Sequence, residues 1–200
     1  MPPFPDRLVP VGTFQLSQPT LRISDPCYDV DTWCAFTQEA LPGTYEAYVF
    51  SKYDDSWNQI HRPGLLAIFH QSYNGVRDIE AFRDQEVIGN AGVDSGQCGF
   101  YDDAKYPRDA AQFEYEKDTY YGRCCSMTLD EGIGGGIIDG FGVVSGTFYG
   151  DGGYDCYVLR NADGIVIAAC LDYSNHFGFE DDGYEDDDDP CDDELLSAED

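Results

Sequence analysis

Two β-rich runs joined by a short turn set the strongest limit on the fold. Residues 154–160 (YDCYVLR) and 164–173 (GIVIAACLDY) flank the turn sequence Asn161-Ala162-Asp163-Gly164. This spacing, with Gly164 able to adopt a positive φ, predicts an antiparallel hairpin. Apolar residues occupy both faces of each run, whereas a strand with one solvated face alternates apolar and polar residues. We therefore expect two paired strands that are covered on both sides.

The composition of the whole chain favours a β-rich fold. Its 200 residues include 15 Tyr, 12 Phe, 22 Gly and 10 Pro, so strand formers and turn formers are both abundant. A chain of this length can bury the core of a single domain. Apolar or alternating segments predict further strands at residues 11–16, 21–24, 44–51, 64–71 and 92–103.

Two segments carry the signals of helices. Asp29 or Asp31 can cap a helix that runs to Ala40, and residues 109–125 begin with a capping-box pattern. Residues 76–88 fit either a helix or a strand. We therefore predict an α+β fold with a β-rich, mainly antiparallel sheet, sandwich- or barrel-like, with about two helices.

Composition also divides the chain into three parts. Residues 1–10, rich in proline, predict a loose N-terminal arm, and residues 11–175 predict a single β-rich domain. Residues 176–200 form an acidic C-terminal tail, in which residues 180–200 carry thirteen acidic side chains and no basic one. We expect this tail to be disordered, because its few apolar residues cannot offset the entropy lost on ordering.

The charge of the chain limits its partners. The formal net charge is −28, and residues 1–179 alone hold 26 acidic and 11 basic side chains, a net charge of −15. Such a charge repels the phosphate backbone of nucleic acids and the surface of anionic membranes, so direct binding to either is not expected. A basic protein partner is expected instead, and a nucleic-acid-binding protein is one such partner.

Sequence features also predict a cytoplasmic protein. No stretch of 18 consecutive apolar residues is present, and the first twelve residues lack the apolar core of a signal peptide. Eight cysteines occur without a CxxC pair, and in a reducing compartment they are predicted to be free thiols.

Five short motifs occur in a fixed order along the chain. They are Ser24–Tyr28 (SDPCY), Gly92–Gln97 (GVDSGQ), Tyr121–Cys125 (YGRCC), Gly142–Gly146 (GVVSG) and Tyr149–Tyr154 (YGDGGY). Together they resemble a family of uncharacterised bacterial and phage proteins, over residues 11–173. The resemblance implies a coherent fold and a microbial or viral origin, and it brings no activity with it. It singles out Asp25, Cys27, Asp94 and Asp151 as positions of the family pattern, without a role for any of them.

Carboxylates in the predicted turns are candidate ligands for a divalent cation. Ca²⁺ prefers six to eight oxygen ligands from flexible loops, and Asp25, Asp94 and Asp151 lie in such segments. The alternative is that aspartate and glycine occur there because both favour turns. The sequence matches no EF-hand pattern, so the prediction is either no cofactor or a divalent cation such as Ca²⁺.

A cysteine hydrolase is a further hypothesis. Cys27 follows a predicted strand and precedes a predicted helix, whose N-terminus would lower the pKa of a thiol. Among the three histidines, His70 lies in an apolar strand and is the candidate base. No known cysteine–histidine signature is present, and the alternative is that both residues are structural.

The acidic tail suggests a binding role. Closely spaced carboxylates can imitate a phosphate backbone and occupy a basic groove, although the same residues could simply keep the protein soluble. We predict a small acidic, non-enzymatic protein that binds a basic protein partner, for example as a nucleic-acid-mimicking inhibitor. The alternative is a divalent-cation-binding domain with hydrolase activity around Asp25 and Cys27. The candidate binding residues of the tail are Asp186, Asp187, Asp188, Asp189, Asp192, Asp193 and Glu194.

Overall fold

The structure, a computed structural model, describes residues 8–54, 60–129 and 133–178. Within these residues eleven strands form two antiparallel sheets, accompanied by one α-helix and two 3₁₀ helices. The strands are β1 (Leu8–Leu16), β2 (Thr20–Ser24), β3 (Phe36–Glu39), β4 (Gly43–Asp54), β5 (Ile60–His70), β6 (Glu86–Val93), β7 (Gln97–Asp102), β8 (Gly135–Ile138), β9 (Gly142–Gly146), β10 (Gly152–Arg160) and β11 (Val166–Asp172). The helix α1 covers Tyr120–Leu129, and the 3₁₀ helices cover Ile79–Phe82 and Ala110–Phe113.

The two sheets pack face to face as a sandwich. The larger sheet has the strand order β1-β4-β5-β11-β10-β6, and the smaller one has the order β3-β2-β7-β9-β8. Every pairing within them is antiparallel, and the sheets do not close into a barrel. The predicted α+β, mainly antiparallel fold is therefore confirmed, and of its two suggested forms the sandwich is the one observed.

The predicted hairpin lies near the centre of the larger sheet. β10 and β11 pair with Cys156 opposite Leu171, and Gly164 in the connecting turn has a φ of 80°. The Asn161 carboxamide oxygen accepts hydrogen bonds from two N–H groups within the turn, which fixes its shape. Leu171 faces the space between the sheets and Cys170 the outer side, so both faces are buried as expected.

Apolar side chains from both sheets fill the space between them. Tyr45 and Ile68 of the larger sheet pack in one continuous cluster with Phe100 and Val143 of the smaller sheet. Full burial of each such side chain is worth roughly 1.5–3 kcal/mol, so this cluster is the main source of stability.

Each sheet is also covered on its outer face. Phe82 of the first 3₁₀ helix packs on Phe69 of β5, with ring centroids 5.5 Å apart. On the smaller sheet, Tyr120 of α1 lies 6.1 Å from the ring of Tyr101 in β7. The molecule is therefore layered, with short helical elements outside two central sheets.

The predicted helix between Asp29 and Ala40 is wrong. Residues 29–35 form consecutive turns instead, and the following residues form β3, in which Phe36 pairs with Ile23 of β2. The Asp29 carboxylate accepts hydrogen bonds from the Asp31 N–H (3.1 Å) and the Thr32 hydroxyl (3.0 Å), as a helix cap would. The capping interaction is present, but the residues that follow it pair with β2 as a strand and do not form a helix.

The second predicted helix, over residues 109–125, is split in two. The Asp109 carboxylate caps the 3₁₀ helix Ala110–Phe113 by accepting a hydrogen bond from the Ala111 N–H (3.1 Å). α1 begins only at Tyr120 and continues to Leu129. The described residues thus contain one α-helix.

The ordered body extends slightly beyond the predicted boundaries of 11 and 175. β1 begins at Leu8, inside the segment predicted to be a loose arm. At the other end the Phe177 ring packs against Tyr157, with centroids 5.1 Å apart. Residues 179–200, the greater part of the predicted acidic tail, lie outside the described residues. No helix among the described residues is long and apolar enough to cross a membrane.

Candidate functional site

Asp25 connects two of the five sequence motifs. Its carboxylate is fully buried and accepts four hydrogen bonds. Oδ1 accepts from the Cys27 N–H (2.8 Å) and the Ser95 hydroxyl (2.6 Å), and Oδ2 accepts from the N–H groups of Asp94 (2.9 Å) and Ser95 (2.7 Å). The SDPCY loop after β2 and the GVDSGQ turn between β6 and β7 are thereby held together.

Tyr106 fixes the same loop from the other side. Its hydroxyl donates to the carbonyl oxygen of Tyr28 at 2.8 Å, and it lies 3.3 Å from the carbonyl oxygen of Asp25. The guanidinium of Arg22 lies 4.9 Å from the centroid of the Tyr106 ring and forms an ion pair with Asp103 (2.7 Å). The backbone of the SDPCY loop is therefore anchored at several points.

An open cavity of about 430 Å³ lies beside this anchored loop. Its floor is formed where β6 ends and β10 begins, because Val93 pairs with Gly152. Asp94 follows Val93 and Asp151 precedes Gly152, so both lie just beyond this last pair, and both are exposed. The side chains that define the cavity are Tyr28, Trp33, Cys34, Asn90, Asp94 and Asp151.

Trp33 stands at the edge of this cavity. Its side chain is 92% exposed, which is unusual for so large an apolar group. The turns of residues 29–35 present it, and the neighbouring Cys34 is anchored because its carbonyl oxygen accepts a hydrogen bond from the Gly92 N–H (3.1 Å). Trp33 is therefore on a loop that is tied to the edge strand β6.

Tyr28 forms another wall of the cavity. Its hydroxyl lies beside the thiol of Cys34 and the carboxylate of Asp94. Burial raises the pKa of Tyr28, and the nearby Cys34 and Asp94 raise it further. The phenol is protonated at neutral pH, and its hydroxyl is engaged with the Asp94 and Cys34 side chains.

Cys27 is half-buried next to the Asp25 carboxylate. Burial raises the pKa of the Cys27 thiol, and the charges of Asp25 and Asp94 raise it further. The thiolate, which is the nucleophilic form, is therefore disfavoured at neutral pH. These surroundings are the opposite of what the predicted cysteine hydrolase requires.

Both ring nitrogens of His70 contact residues near the end of β5, namely Ser72 and Pro42, and neither is bonded to Cys27. Its Nε2–H donates to the carbonyl oxygen of Pro42 (3.2 Å), and its Nδ1 accepts from the Ser72 N–H (3.1 Å). Its ring packs edge-on against Tyr45 at 5.1 Å, and burial lowers the pKa of His70. It is therefore a neutral, structural side chain at the end of β5.

The three aspartates proposed as metal ligands are placed differently from one another. Asp94 and Asp151 line the same cavity, whereas both oxygens of Asp25 are directed to N–H and O–H donors. Among the described residues, no group of three or more His, Cys, Asp or Glu side chains is arranged to hold a metal ion. The predicted three-aspartate site is not assembled in this structure.

A smaller cavity of about 310 Å³ shares Tyr28 with the first. Cys27, Asp29 and Arg108 contribute to its lining, and Arg108 is already paired with Asp103 at 3.3 Å. The lining of this smaller cavity thus includes an arginine, whereas the lining of the larger cavity includes no lysine or arginine.

Part of this site is visible in the sequence, whereas its aromatic residues are not. The motifs singled out Asp94 and Asp151, which do meet at the cavity. Trp33 lies inside the segment predicted as a helix, and that prediction gives no indication of its exposure at a cavity edge. The proposed binding residues of the tail, from Asp186 to Glu194, lie outside the described residues.

Comparisons with known proteins add no relative to this picture. No family model matches the sequence, and no curated protein or solved structure matches it. The resemblance to uncharacterised bacterial and phage proteins stays a prediction. The role of the site is accordingly inferred from its own geometry and charge.

Proposed function

We propose that the protein is a small acidic, non-enzymatic binding protein that engages a basic protein partner in the cytoplasm. The observation that supports this proposal is the way in which its few cations are used. Six arginines each lie within ion-pair distance of a carboxylate of the body. The pairs are Arg22–Asp103, Arg77–Glu46, Arg83–Glu80, Arg108–Asp103, Arg123–Asp139 and Arg160–Glu86.

The carboxylates around the larger cavity are not compensated in this way. Within the described part of the chain, no lysine or arginine forms an ion pair with Asp94 or Asp151. With a net charge of −28 on the chain, such uncompensated groups attract cationic surfaces and repel anionic ones. A basic partner is therefore the class that this surface fits best.

The tail supports a more specific form of the same proposal. Its thirteen acidic side chains within residues 180–200 provide closely spaced negative charge, as a nucleic-acid backbone does. In this form the partner is a basic nucleic-acid-binding protein, and the tail competes for its groove. A basic protein that binds duplex DNA should then release a labelled duplex when the full chain is added.

Binding of a defined cationic peptide tests the charge-driven interaction. The full chain is titrated with deca-lysine from about 50 to about 300 mM NaCl, and deca-glutamine serves as the uncharged control. We expect Kd for deca-lysine to rise by at least about tenfold over this range, because binding releases screening ions.

A tail variant makes the test specific to this chain. The seven candidate binding residues of the tail are changed together to Asn or Gln, and Kd should increase further. As a control matched for the loss of seven charges, seven exposed acids of the body are changed to Gln or Asn, namely Asp31, Glu39, Asp84, Glu114, Glu116, Asp118 and Asp163. A Kd that does not depend on salt, or one that stays the same in every neutralised variant, contradicts the proposed function.

A further inference from the structure

We propose that the 430 Å³ cavity binds one lysine or arginine side chain of the basic partner. This inference rests on the proposed function, and it names the place on the ordered body where the partner is recognised. The cavity combines two carboxylates with two aromatic walls, and both kinds of group attract an organic cation. Its volume is within the range of pockets that enclose small organic groups.

The residues that carry the two carboxylates lie just beyond the same end of the β6–β10 pair, and no cation accompanies them in the cavity lining. Val93 pairs with Gly152, so Asp94 and Asp151 continue the two antiparallel strands from adjacent positions. Like charges opposite each other on neighbouring strands are unfavourable. No lysine or arginine is among the residues that line the cavity, so a cation from outside would relieve this repulsion.

The aromatic walls suit the long apolar stem of a basic side chain as well as its charged end. Trp33 offers an exposed face at the rim, and Tyr28 lies deeper in the cavity. Cations bind over aromatic faces, most strongly over tryptophan, and the methylene groups of lysine or arginine pack against such rings. A neutral ligand could pack against the rings of Trp33 and Tyr28, but it would gain nothing from the negative charge of Asp94 and Asp151.

An amide group adds polarity at the same place. The Asn90 carboxamide nitrogen donates to Asp155 at 2.9 Å, which orients the side chain on the cavity wall. Its carbonyl oxygen is then available as an acceptor for an N–H group. Ammonium and guanidinium groups are donors only, so all of these acceptors match them.

The backbone segments that carry the walls are held in place by hydrogen bonds. Asp25 ties the loop of Tyr28 to the turn that carries Asp94, and the Gly92 N–H ties Cys34 beside Trp33 to β6. Binding to a preformed cavity avoids the entropy of ordering a loop. The cavity is therefore suited to recognise even a single side chain.

Fluorescence of Trp33 provides a direct test. The chain has two tryptophans, so the Trp57→Phe variant leaves Trp33 as the only reporter. This full-length variant is titrated with the peptides Gly-Gly-Arg-Gly-Gly and Gly-Gly-Lys-Gly-Gly at constant ionic strength. We expect a saturable change in emission with both. The same peptide with citrulline, which is nearly isosteric with arginine but neutral, should give no saturable change.

Substitutions in the cavity locate the binding. Asp94→Asn combined with Asp151→Asn should weaken binding of the arginine peptide about fivefold or more. Trp33→Ala, followed by NMR chemical shifts, should weaken it about threefold or more. Asp163→Asn serves as the matched control, because it removes an exposed charge in the turn at the opposite end of β10. It should leave Kd within about twofold of the parent.

The outcomes separate this inference from the proposed function. If deca-lysine binds with the expected salt dependence but the Asp94/Asp151 double variant binds the arginine peptide normally, the cavity is not the site and charge-driven binding stands. Equal binding of the citrulline and arginine peptides also overturns the inference, because the cavity then recognises a neutral group. The opposite result is a saturable change in Trp33 emission with the arginine peptide, together with deca-lysine binding that is independent of salt. The cavity then stands as a binding site, and the broader charge-driven mechanism fails.

Discussion

At the scale of single residues, buried aspartates hold the loops of this protein in place. Asp25 accepts four hydrogen bonds, Asp102 accepts N–H groups from two different loops, and Asp172 accepts two N–H groups of the segment that follows β11. A carboxylate is buried at acceptable cost only when it has such partners. From composition alone these aspartates would be assigned to the acidic surface. In the structure they are buried and connect loops through hydrogen bonds.

Replacement of Asp25 tests this structural role. In Asp25→Asn the amide nitrogen must face donors that now lack an acceptor, so we expect the free energy of unfolding to fall by about 2–4 kcal/mol. Urea denaturation measures it. Asp151→Asn, which removes an exposed carboxylate, is the control and should change the value by no more than about 0.5 kcal/mol. An Asp25→Asn variant as stable as the parent would mean that the four hydrogen bonds do not hold the loop.

His70 gives the stability a pH dependence of known sign. Burial lowers the pKa of His70 in the folded state below its usual 6.5, so the unfolded chain binds the proton more readily. As the pH falls below 6.5, stability is therefore lost, by at most about 1.4 kcal/mol per pH unit from this one group. His70→Gln should lose less stability than the parent between pH 7.5 and pH 5.5. Parallel curves from urea unfolding of the two proteins would contradict the assignment.

At the scale of elements, strands were more predictable than helices. The runs that became β4, β5, β10 and β11 show their apolar pattern locally, and the turn at Gly164 has a local signature. The segment after Asp29 carries a genuine capping residue, but a capped turn and a capped helix look alike in sequence. The pairing of Phe36 with Ile23, which is decided by packing elsewhere, selects the strand.

Part of the candidate site could not be predicted from the sequence either, because it too depends on contacts between distant segments. Asp25, Asp94 and Asp151 are equivalent in sequence, since each lies in a turn with small or polar neighbours. Asp25 is buried because it contacts residues 69 and 70 positions further along the chain. Asp94 and Asp151 meet only because β6 and β10 become neighbours in the larger sheet. Contacts between distant segments thus separate the structural aspartate from the two in the cavity.

The start of α1 depends on a close approach by the preceding loop. A Cβ atom at Gly122 would lie 1.7 Å from the carbonyl oxygen of Glu116. Alanine is the better helix former by roughly 1 kcal/mol, but Gly122→Ala forces this loop away from the helix. We expect the substitution to lower stability by about 1–3 kcal/mol, measured by thermal and urea unfolding.

Another helix position provides the comparison. Ser126, one turn further along α1, is exposed, and Ser126→Ala should leave stability within about 0.5 kcal/mol of the parent. A Gly122→Ala variant that is more stable than the parent would show that helix propensity, and not contact with the loop, determines the behaviour of this position.

At the scale of the whole molecule, an ordinary apolar sandwich carries an unusually acidic surface. The core between the sheets is continuous, and the cysteines of the described residues are free thiols. The excess of carboxylates is then a property of the exterior, where it acts through long-range attraction and repulsion. The proposed binding role depends on this exterior charge.

Thermal unfolding in the presence of divalent ions tests this view of the exterior. At equal ionic strength, Ca²⁺ and Mg²⁺ should raise Tm of the full chain by similar amounts relative to EDTA, because both screen repulsion between carboxylates. A specific site would instead add a stabilisation that grows with the logarithm of the ion concentration. A shift of several degrees with Ca²⁺ alone would favour the cation-binding alternative.

The contact between Gly92 and Cys34 has a consequence for how such a cavity could change during evolution. A Cβ atom at position 92 would lie 2.7 Å from the Cβ atom of Cys34, so any larger residue pushes the tryptophan-bearing loop away from β6. Gly92 thus works as a spacer that sets the width of the cavity without supplying a contacting side chain. A single substitution there could retune the preference between a slender ammonium and a broad guanidinium while leaving every recognition group intact.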